Sequence, residues 1–213
     1  MLRFRRILTI LVCSSILAFT VSSYAEEEIE DLIDIIEAED KIIAIIEGNK
    51  SVSIDLRLNE KVLWNGSRGD LGAILTNLHF LVISTTSNVW RALPLKLSES
   101  EKGVASLSPY LALLVTGDRA IGFDAASNRF IETQLPNHDE ILVAEAEKYV
   151  AVVITSSRVF GLAVKTTAFT EKRLRNRETI ESIKITASKA TVRTSDRLLT
   201  FEANGYTWIE HRL

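Results

Sequence analysis

The sequence has a single cysteine, Cys13, among its 213 residues. Cys13 lies in the apolar run 7–21, which follows three arginines and precedes small residues ending in Ala25. This order is typical of a secretory signal peptide, so we expect cleavage after Ala25 and one mature domain over residues 26–213. The mature chain then has no cysteine. Disulfide bonds and thiolate zinc sites are therefore excluded, and stability must come from a hydrophobic core.

Long hydrophobic runs are also missing from the mature chain. The apolar run 7–21 is itself shorter than the roughly 20 residues that a membrane-spanning helix needs. We therefore expect no stable membrane span after cleavage, and a protein that is periplasmic or secreted. Retention of the signal segment as an anchor is the alternative that the sequence leaves open.

The chain has no excess of basic residues. Its formal net charge is −3 at pH 7, with 46% hydrophobic residues. Nucleic-acid-binding proteins are usually basic, so we expect no nucleic-acid partner.

Glycine and histidine are also scarce, with nine and three residues. The chain contains no phosphate-binding glycine loop and no nucleophile elbow. His79, His138 and His211 lie at unrelated offsets without metal-ligand spacing, which predicts solvated or structural histidines. We expect no metal and no cofactor.

What the sequence does contain is an internal repeat. The stretches IIEGNKSVSI, VTGDRAIGF, VITSSRVFGL and VRTSDRLLTF align on a basic residue that follows a turn, and ISTTSNVWRA is a weaker fifth copy. Apolar residues lie two and four positions after each basic residue, which predicts a strand with one buried face. The aligned residues are Lys50, Asn88, Arg119, Arg158 and Arg197, at spacings of 38, 31, 39 and 39.

Each repeat reads as four short strands joined by tight turns, over about 31–66, 69–100, 101–137, 138–177 and 178–213. Such tandem units resemble the blades of a β-propeller. The resemblance is one of architecture only, because WD40, kelch and YWTD motifs are absent. It implies an all-β fold of about five four-stranded blades, with an open β-repeat array as the alternative. The short second repeat predicts a blade without its outer strand, and we expect the seam between the first and last blades to be the weakest joint.

The aligned basic residues are the candidate binding site. If the hairpins that precede them share one face, Lys50, Arg119, Arg158 and Arg197 form a broken ring there, with Asn88 in the gap. We call these five residues the basic ring. It could bind an anionic group or an acidic segment, although hairpin starts are commonly charged without a function. The leading expectation is a non-enzymatic binding or scaffolding module with a protein or peptide partner in the cell envelope.

Aromatic and acidic residues support two alternatives. Trp64 has no repeat equivalent, so it is the aromatic candidate for ligand contact in a carbohydrate-binding lectin. A small periplasmic hydrolase would need paired carboxylates on inner strands, and only scattered ones are present. Those carboxylates are Asp34, Glu37, Glu145 and Glu181.

A second recurring pattern predicts structure rather than function. Phe130, Phe169 and Trp208 recur at one repeat position, which predicts packing between blades. A glutamate follows each of them two residues later, and we expect these glutamates to pair across strands with basic neighbours. They are Glu132, Glu171 and Glu210.

Overall fold

The computed structural model describes residues 29–96, 98–137 and 139–213. The predictions of a signal peptide over 1–25 and of a solvated His138 lie outside these residues. Within the described ranges there is no helix long and apolar enough to cross a membrane. The strands are β1 (Ile33–Glu37), β2 (Lys41–Ile46), β3 (Lys50–Asp55), β4 (Val62–Arg68), β5 (Leu71–Thr76), β6 (His79–Ser84), β7 (Arg91–Pro94), β8 (Val104–Leu107), β9 (Leu111–Val115), β10 (Arg119–Asp124), β11 (Arg129–Gln134), β12 (Ile141–Ala146), β13 (Val150–Thr155), β14 (Arg158–Ala163), β15 (Thr170–Arg173), β16 (Ile180–Thr186), β17 (Lys189–Thr194), β18 (Arg197–Glu202) and β19 (Trp208–Arg212).

These strands form five antiparallel sheets in chain order, which we call blades 1 to 5. Blade 1 is the three-stranded sheet β1–β3, and the blades that follow are β4–β7, β8–β11, β12–β15 and β16–β19. The predicted all-β fold of about five propeller blades is confirmed. Tight turns join neighbouring strands, and Asn88 and Asn128 both take positive φ in the turns that precede β7 and β11. Asparagine tolerates this conformation better than most residues.

The prediction that blade 2 lacks its outer strand is wrong. Residues 62–68 form β4, which pairs with β5 as the innermost strand of blade 2 and not with blade 1. The repeat boundary at 66–69 is therefore also wrong. Pro94 ends β7 at the outer edge of its sheet, where the missing amide costs no ladder bond.

Blade 1 is the sheet with three described strands, and the connectors between blades identify which strand is absent. Each of four connector leucines donates its backbone amide to the carbonyl of the residue that directly precedes a strand. In blades 2 to 4 that strand is the third strand of the blade. In blade 1 the amide of Leu56 donates to Asp40, directly before β2. Because β2 therefore corresponds to a third strand, the innermost position of blade 1 has no strand among the described residues. The four donors are Leu56, Leu95, Leu135 and Leu174.

The hydrophobic core lies between the blades. Four clusters of buried residues join blade 1 to 2, 2 to 3, 3 to 4 and 4 to 5. The predicted packing role of Phe130, Phe169 and Trp208 is confirmed, since each packs in one of these clusters. None of the four clusters joins blade 5 to blade 1, so no described blade packs on the outward faces of the two terminal blades.

The strand directions define two faces of the array. The second-to-third-strand hairpins and the connectors between blades lie at one end of the sheets, which we call the connector face. The first-to-second-strand and third-to-fourth-strand turns lie at the other end, the turn face.

Candidate functional site

The structure separates the residues of the basic ring. Arg119, Arg158 and Arg197 each begin a third strand at the connector face. Lys50 begins β3, which corresponds to a fourth strand, and Asn88 lies in a third-to-fourth-strand turn, so both lie at the turn face. The five residues therefore do not form one ring.

The positions that match the three arginines are Lys41 in blade 1 and His79 in blade 2. The sequence contained a signal for this register. A threonine lies three residues before each basic residue in blades 2 to 5, in TNLH, TGDR, TSSR and TSDR. These threonines are Thr76, Thr116, Thr155 and Thr194.

Each threonine fixes the hairpin at the connector face. In blade 5 the Thr194 hydroxyl accepts hydrogen bonds from the amides of Asp196 and Arg197, at 3.3 and 3.1 Å. Thr76, Thr116 and Thr155 accept the corresponding pairs of amides in their own hairpins. Threonine therefore closes the turn and aims the basic side chain toward the preceding connector.

In blade 5 that side chain completes an arginine clamp, which we define as a hairpin arginine, a connector carboxylate and a fourth-strand glutamate. The Arg197 Nε and Nη2 donate to the two carboxylate oxygens of Glu178 at 2.8 and 2.9 Å. Nη1 donates to Glu210, and Nη2 also reaches the Arg173 carbonyl of blade 4 at 2.9 Å. The clamp therefore ties blade 5 to blade 4, and all three nitrogens of the Arg197 guanidinium donate hydrogen bonds.

The electrostatics of this clamp favour its charged form. Burial by itself raises the pKa of Glu178, but hydrogen bonds from Arg197, the Arg175 amide and Thr194 outweigh it and lower that pKa to about 2. The bonds to Glu178 outweigh the burial of Arg197 and raise the guanidinium pKa. Only 3% of the Arg197 side chain is exposed, so this is a buried ion pair.

Blade 3 repeats the clamp. The Arg119 Nε and Nη2 donate to Glu99 at 2.8 Å each, and Nη1 donates to Glu132. Nη2 also reaches the Pro94 carbonyl of blade 2 at 3.2 Å. Burial raises the pKa of Glu99, yet the Arg119 and Lys96 bonds lower it overall. The predicted pairing of the fourth-strand glutamates with basic neighbours is confirmed in blades 3 to 5.

Blade 2 has a histidine version of the contact. The His79 Nδ1 lies 2.8 Å from Glu60, and the Thr76 hydroxyl donates to the same carboxylate at 2.6 Å. Burial raises the pKa of Glu60, but the bonds from Thr76, His79 and the Arg57 amide lower it overall. His79 is thus a structural residue at the blade 1–2 connector.

The clamp of blade 4 is incomplete. Asp139 stands at the connector position of Glu99 and Glu178, and its shorter side chain accepts from Thr155 at 2.7 Å and from Ser157. Arg158 keeps only the bond from Nη1 to Glu171, at 2.7 Å, and its buried Nε has no hydrogen-bond partner. Its side chain is 25% exposed, against 11% for Arg119 and 3% for Arg197. Among the described residues, no carboxylate fills the Nε–Nη2 fork that holds a glutamate in blades 3 and 5.

Arg158 also lines a cavity of about 480 Å³ between its hairpin and the connector to blade 5. Three exposed arginines of that connector region, Arg173, Arg175 and Arg177, line it too. The other lining residues are Ser156, Ser157, Leu174, Asn176 and Glu178, whose carboxylate is paired with Arg197. Arg175 bonds Glu210 at 2.7 Å, whereas Arg173 and Arg177 have no carboxylate partner in the described part of the chain. Arg177 has a φ of 67°, a conformation that is rare for arginine. We call these four arginines and their cavity the arginine cavity.

Trp64 lies in the core rather than at an open surface. It is partly buried on β4 and packs with the cluster that joins blades 2 and 3, close to Gly66. The exposed aromatic feature is instead a cavity of about 340 Å³ at the turn face, lined by Tyr149, Tyr206, Lys165, Ser188 and Asn204, among others. Sequence reasoning missed it, although Tyr110 and Tyr149 stand 39 residues apart, each directly before the second strand of its blade.

The candidate hydrolase carboxylates lie apart. Asp34 and Glu37 are on β1, Glu145 is on β12, and Glu181 on β16 pairs with Arg193. Across the described ranges, no group of three His, Cys, Asp or Glu side chains is arranged to hold a metal ion.

Comparison with known proteins gives likeness at the level of fold. No protein-family model matches the sequence, and no curated protein matches it. Solved β-propellers are similar in structure. Apo AztD from Citrobacter koseri has 15% identity and a TM-score of 0.42 over 85% of this chain and 59% of its own. BamB from Moraxella catarrhalis has 15% identity and a TM-score of 0.37 over 84% and 64%.

Prp20p from Saccharomyces cerevisiae has 8% identity and a TM-score of 0.43 over 81% of this chain and 55% of its own. Yeast RCC1 (Prp20) is also similar in its complex with Kap60, with a TM-score of 0.44 at 7% identity. The chain thus spans between about half and two thirds of these structures.

Proposed function

We propose that the protein is an exported, non-enzymatic binding module that holds a protein or peptide partner at its connector face. The observation that carries this proposal is the arginine cavity. Four arginines border one cavity of about 480 Å³, and two of them have no carboxylate partner among the described residues. Uncompensated cations around a concave site attract acidic groups and bind carboxylates through bidentate hydrogen bonds.

Of the five residues of the basic ring, only Arg158 is part of the proposed binding site. Arg119 and Arg197 are already occupied by buried glutamates, and opening either clamp would leave a buried charge unpaired. Lys50 and Asn88 lie at the other face. Arg158 is therefore the member of the basic ring that can serve a partner at the connector face.

The test is capture of partner proteins from a cell-envelope extract by the mature protein. We expect the triple variant Arg173→Ala, Arg175→Ala, Arg177→Ala to lose a partner that the unaltered protein retains. The matched control is Lys50→Ala, Arg68→Ala, Lys184→Ala, which removes the same number of positive charges from exposed positions away from the connector face. Equal recovery of the partner with both triple variants would refute the proposal, and circular dichroism checks that both are folded.

Carbohydrate binding is the second candidate function, and the tyrosine cavity at the turn face favours it. Tyr149 and Tyr206 are exposed aromatic rings beside the polar side chains of Ser188 and Asn204. A glycan array tests this candidate. Signals that vanish on Tyr206→Ala and persist on Trp64→Phe would favour it, and an array without signals would count against it.

A further inference from the structure

Arg158 is distinguished from its two counterparts by one methylene in the connector. Glu99 and Glu178 reach the Nε–Nη2 edge of their arginines, whereas Asp139 at the same position stops at Thr155 and Ser157. Pro136 stands where Lys96 and Arg175 each donate an amide to the connector carboxylate. Since proline has no amide hydrogen, the connector of blade 4 also lacks the bond that orients the carboxylate in the other clamps.

The consequence is a guanidinium whose Nη1 is paired and whose Nε–Nη2 edge is unpaired among the described residues, with Nε shielded from solvent. Nη1 is held by Glu171, which fixes the plane of the group. The buried Nε has no partner, and no hydrogen bond of Nη2 is present among the described residues. A buried donor without a partner costs free energy. A carboxylate that accepted the missing hydrogen bonds would remove this cost and would itself be stabilised by the two bonds.

We propose that Arg158 is the carboxylate-binding residue of the arginine cavity and that it receives one carboxylate of an acidic peptide through its Nε–Nη2 edge. The incoming group takes the place that Glu99 and Glu178 fill within the chain at blades 3 and 5. Arg173, Arg175 and Arg177 surround the rest of the acidic segment at the cavity rim. This inference rests on the proposed function, because it names the group that the partner presents.

We assign a carboxylate rather than a phosphate to this site because carboxylates occupy the equivalent arginines of blades 3 and 5. In both complete clamps two oxygens of one planar carboxylate accept from Nε and Nη2 at 2.8 to 2.9 Å. The third donor, Nη1, is already committed to a glutamate of the same blade. What remains is a two-donor planar fork, which matches a planar carboxylate.

The experiment fills the fork from within the protein. Asp139→Glu restores the missing methylene, so its carboxylate should occupy Arg158 and exclude the ligand. We expect it to weaken binding of a fluorescent tetraglutamate peptide, amidated at its C-terminus, by about tenfold or more. The same change should raise the midpoint of thermal unfolding by about 2–4 °C, because the longer side chain would pair with Arg158. A misfolded variant would instead have a lower midpoint.

Arg158→Lys keeps the charge and removes the fork, so it should also weaken binding by about tenfold. Lys50→Ala, at the opposite face, should leave binding unchanged. A second labelled peptide, tetra-alanine with a free C-terminus, distinguishes a terminal carboxylate from a glutamate side chain as the group bound. Competition by inorganic phosphate tests whether the site prefers a carboxylate to a phosphate. Displacement of the peptide by phosphate at an equal concentration would overturn the assignment to a carboxylate.

Binding by Asp139→Glu within twofold of the unaltered protein would also overturn the inference, as would no measurable binding of either peptide. Loss of peptide binding in the Arg173→Ala, Arg175→Ala, Arg177→Ala variant together with full binding by Asp139→Glu would refute the role of Arg158 alone. The proposed function would then stand on the arginine cavity without it.

Discussion

The interior blades and the terminal blades are built from the same strands but are buried differently. In blades 2 to 4, the second strands β5, β9 and β13 are buried at every residue. In blade 5 the second strand β17, and in blade 1 the strand β2, which corresponds to a third strand, alternate between buried and more exposed residues, so one sheet face is covered. A strand between two blades must therefore be apolar on both sides, and a strand at the end of the array need be apolar on only one.

The difference is visible in single residues. Lys189, Thr191 and Arg193 occupy the side of β17 that faces away from blade 4, where β13 carries Val150, Val152 and Ile154 toward blade 5. Polar outer faces of this kind are what terminal units of a repeat array need for solubility. Substitutions at equivalent positions, one at an interface between blades and one at an open end or exposed site, test this difference.

The largest expected effect is on the interior core. Leu162 is fully buried between blades 3 and 4, whereas Ile45 occupies the same strand position on the open face of blade 1. We expect Leu162→Ala to lower the free energy of unfolding by about 3 kcal/mol and Ile45→Ala by less than about 1 kcal/mol, because only the first leaves a closed cavity. Urea denaturation measures both. Equal losses would mean that the open face of blade 1 is covered in solution.

Acid should act on the clamp that ties blade 5 to blade 4. The pKa of Glu178 is about 2 in the folded protein against an ordinary value of 4.5, so the folded state binds this proton less readily. The stabilisation is therefore complete above about pH 4.5 and is lost as the pH falls toward 2, with a span of about 3 kcal/mol.

Urea denaturation between pH 7 and pH 2.5 measures this contribution as the difference between the unaltered protein and Glu178→Gln. Other connector carboxylates also have lowered pKa values, and the difference between the two proteins removes their common effect. A gap between the two stability curves that stays constant from pH 5 to pH 2.5 would contradict the lowered pKa of Glu178.

A smaller effect is expected where blades 4 and 5 approach closely. A Cβ atom on Gly161 would lie 2.7 Å from the ring of Phe201 in blade 5, so Gly161→Ala forces that aromatic ring to shift. We expect a loss of about 2 kcal/mol in unfolding free energy. Thr200 is the equivalent residue of blade 5 and is itself buried, but no further blade packs against it among the described residues. Thr200→Val therefore disturbs no interface between blades and should change stability by less than about 1 kcal/mol. A neutral Gly161→Ala would show that the two blades can separate without cost.

Much of this architecture was predictable from the sequence because the repeat and the strand alternation are local patterns. The pairing of Glu132 with a basic neighbour was predicted from its repeat position, and the structure identifies that neighbour as Arg119. The register of blade 1 was not predictable in the same way, because the alternation in KIIAII and in KSVSI is the same and a shift by one whole strand preserves it. The threonine three residues before each arginine would have favoured His79 over Asn88.

The candidate site was predictable only in its residue types. Arg197 is paired with a connector carboxylate because that residue is a glutamate, Glu178. Arg158 is not, because its connector residue is the shorter Asp139, whose carboxylate accepts a hydrogen bond from Ser157. Such differences of one methylene act through contacts between residues about 19 positions apart, and strand patterns carry no information on them. The polar residues on β17 indicate an uncovered sheet face only once the described structure shows that no further blade packs there.

The smallest expected effect comes from an ion pair on the open face of blade 5. Arg193 donates to Glu181 at 2.9 Å, and both side chains are about half exposed. Solvent screens such a pair, so Glu181→Gln should lower the free energy of unfolding by less than about 0.5 kcal/mol. Glu178→Gln removes a partner of the same kind from a buried pair and should cost several times more at pH 7. Urea denaturation of the two variants in low and high salt measures both contributions, and a salt-independent loss above 1 kcal/mol for Glu181→Gln would mean that this face is buried against another surface in solution.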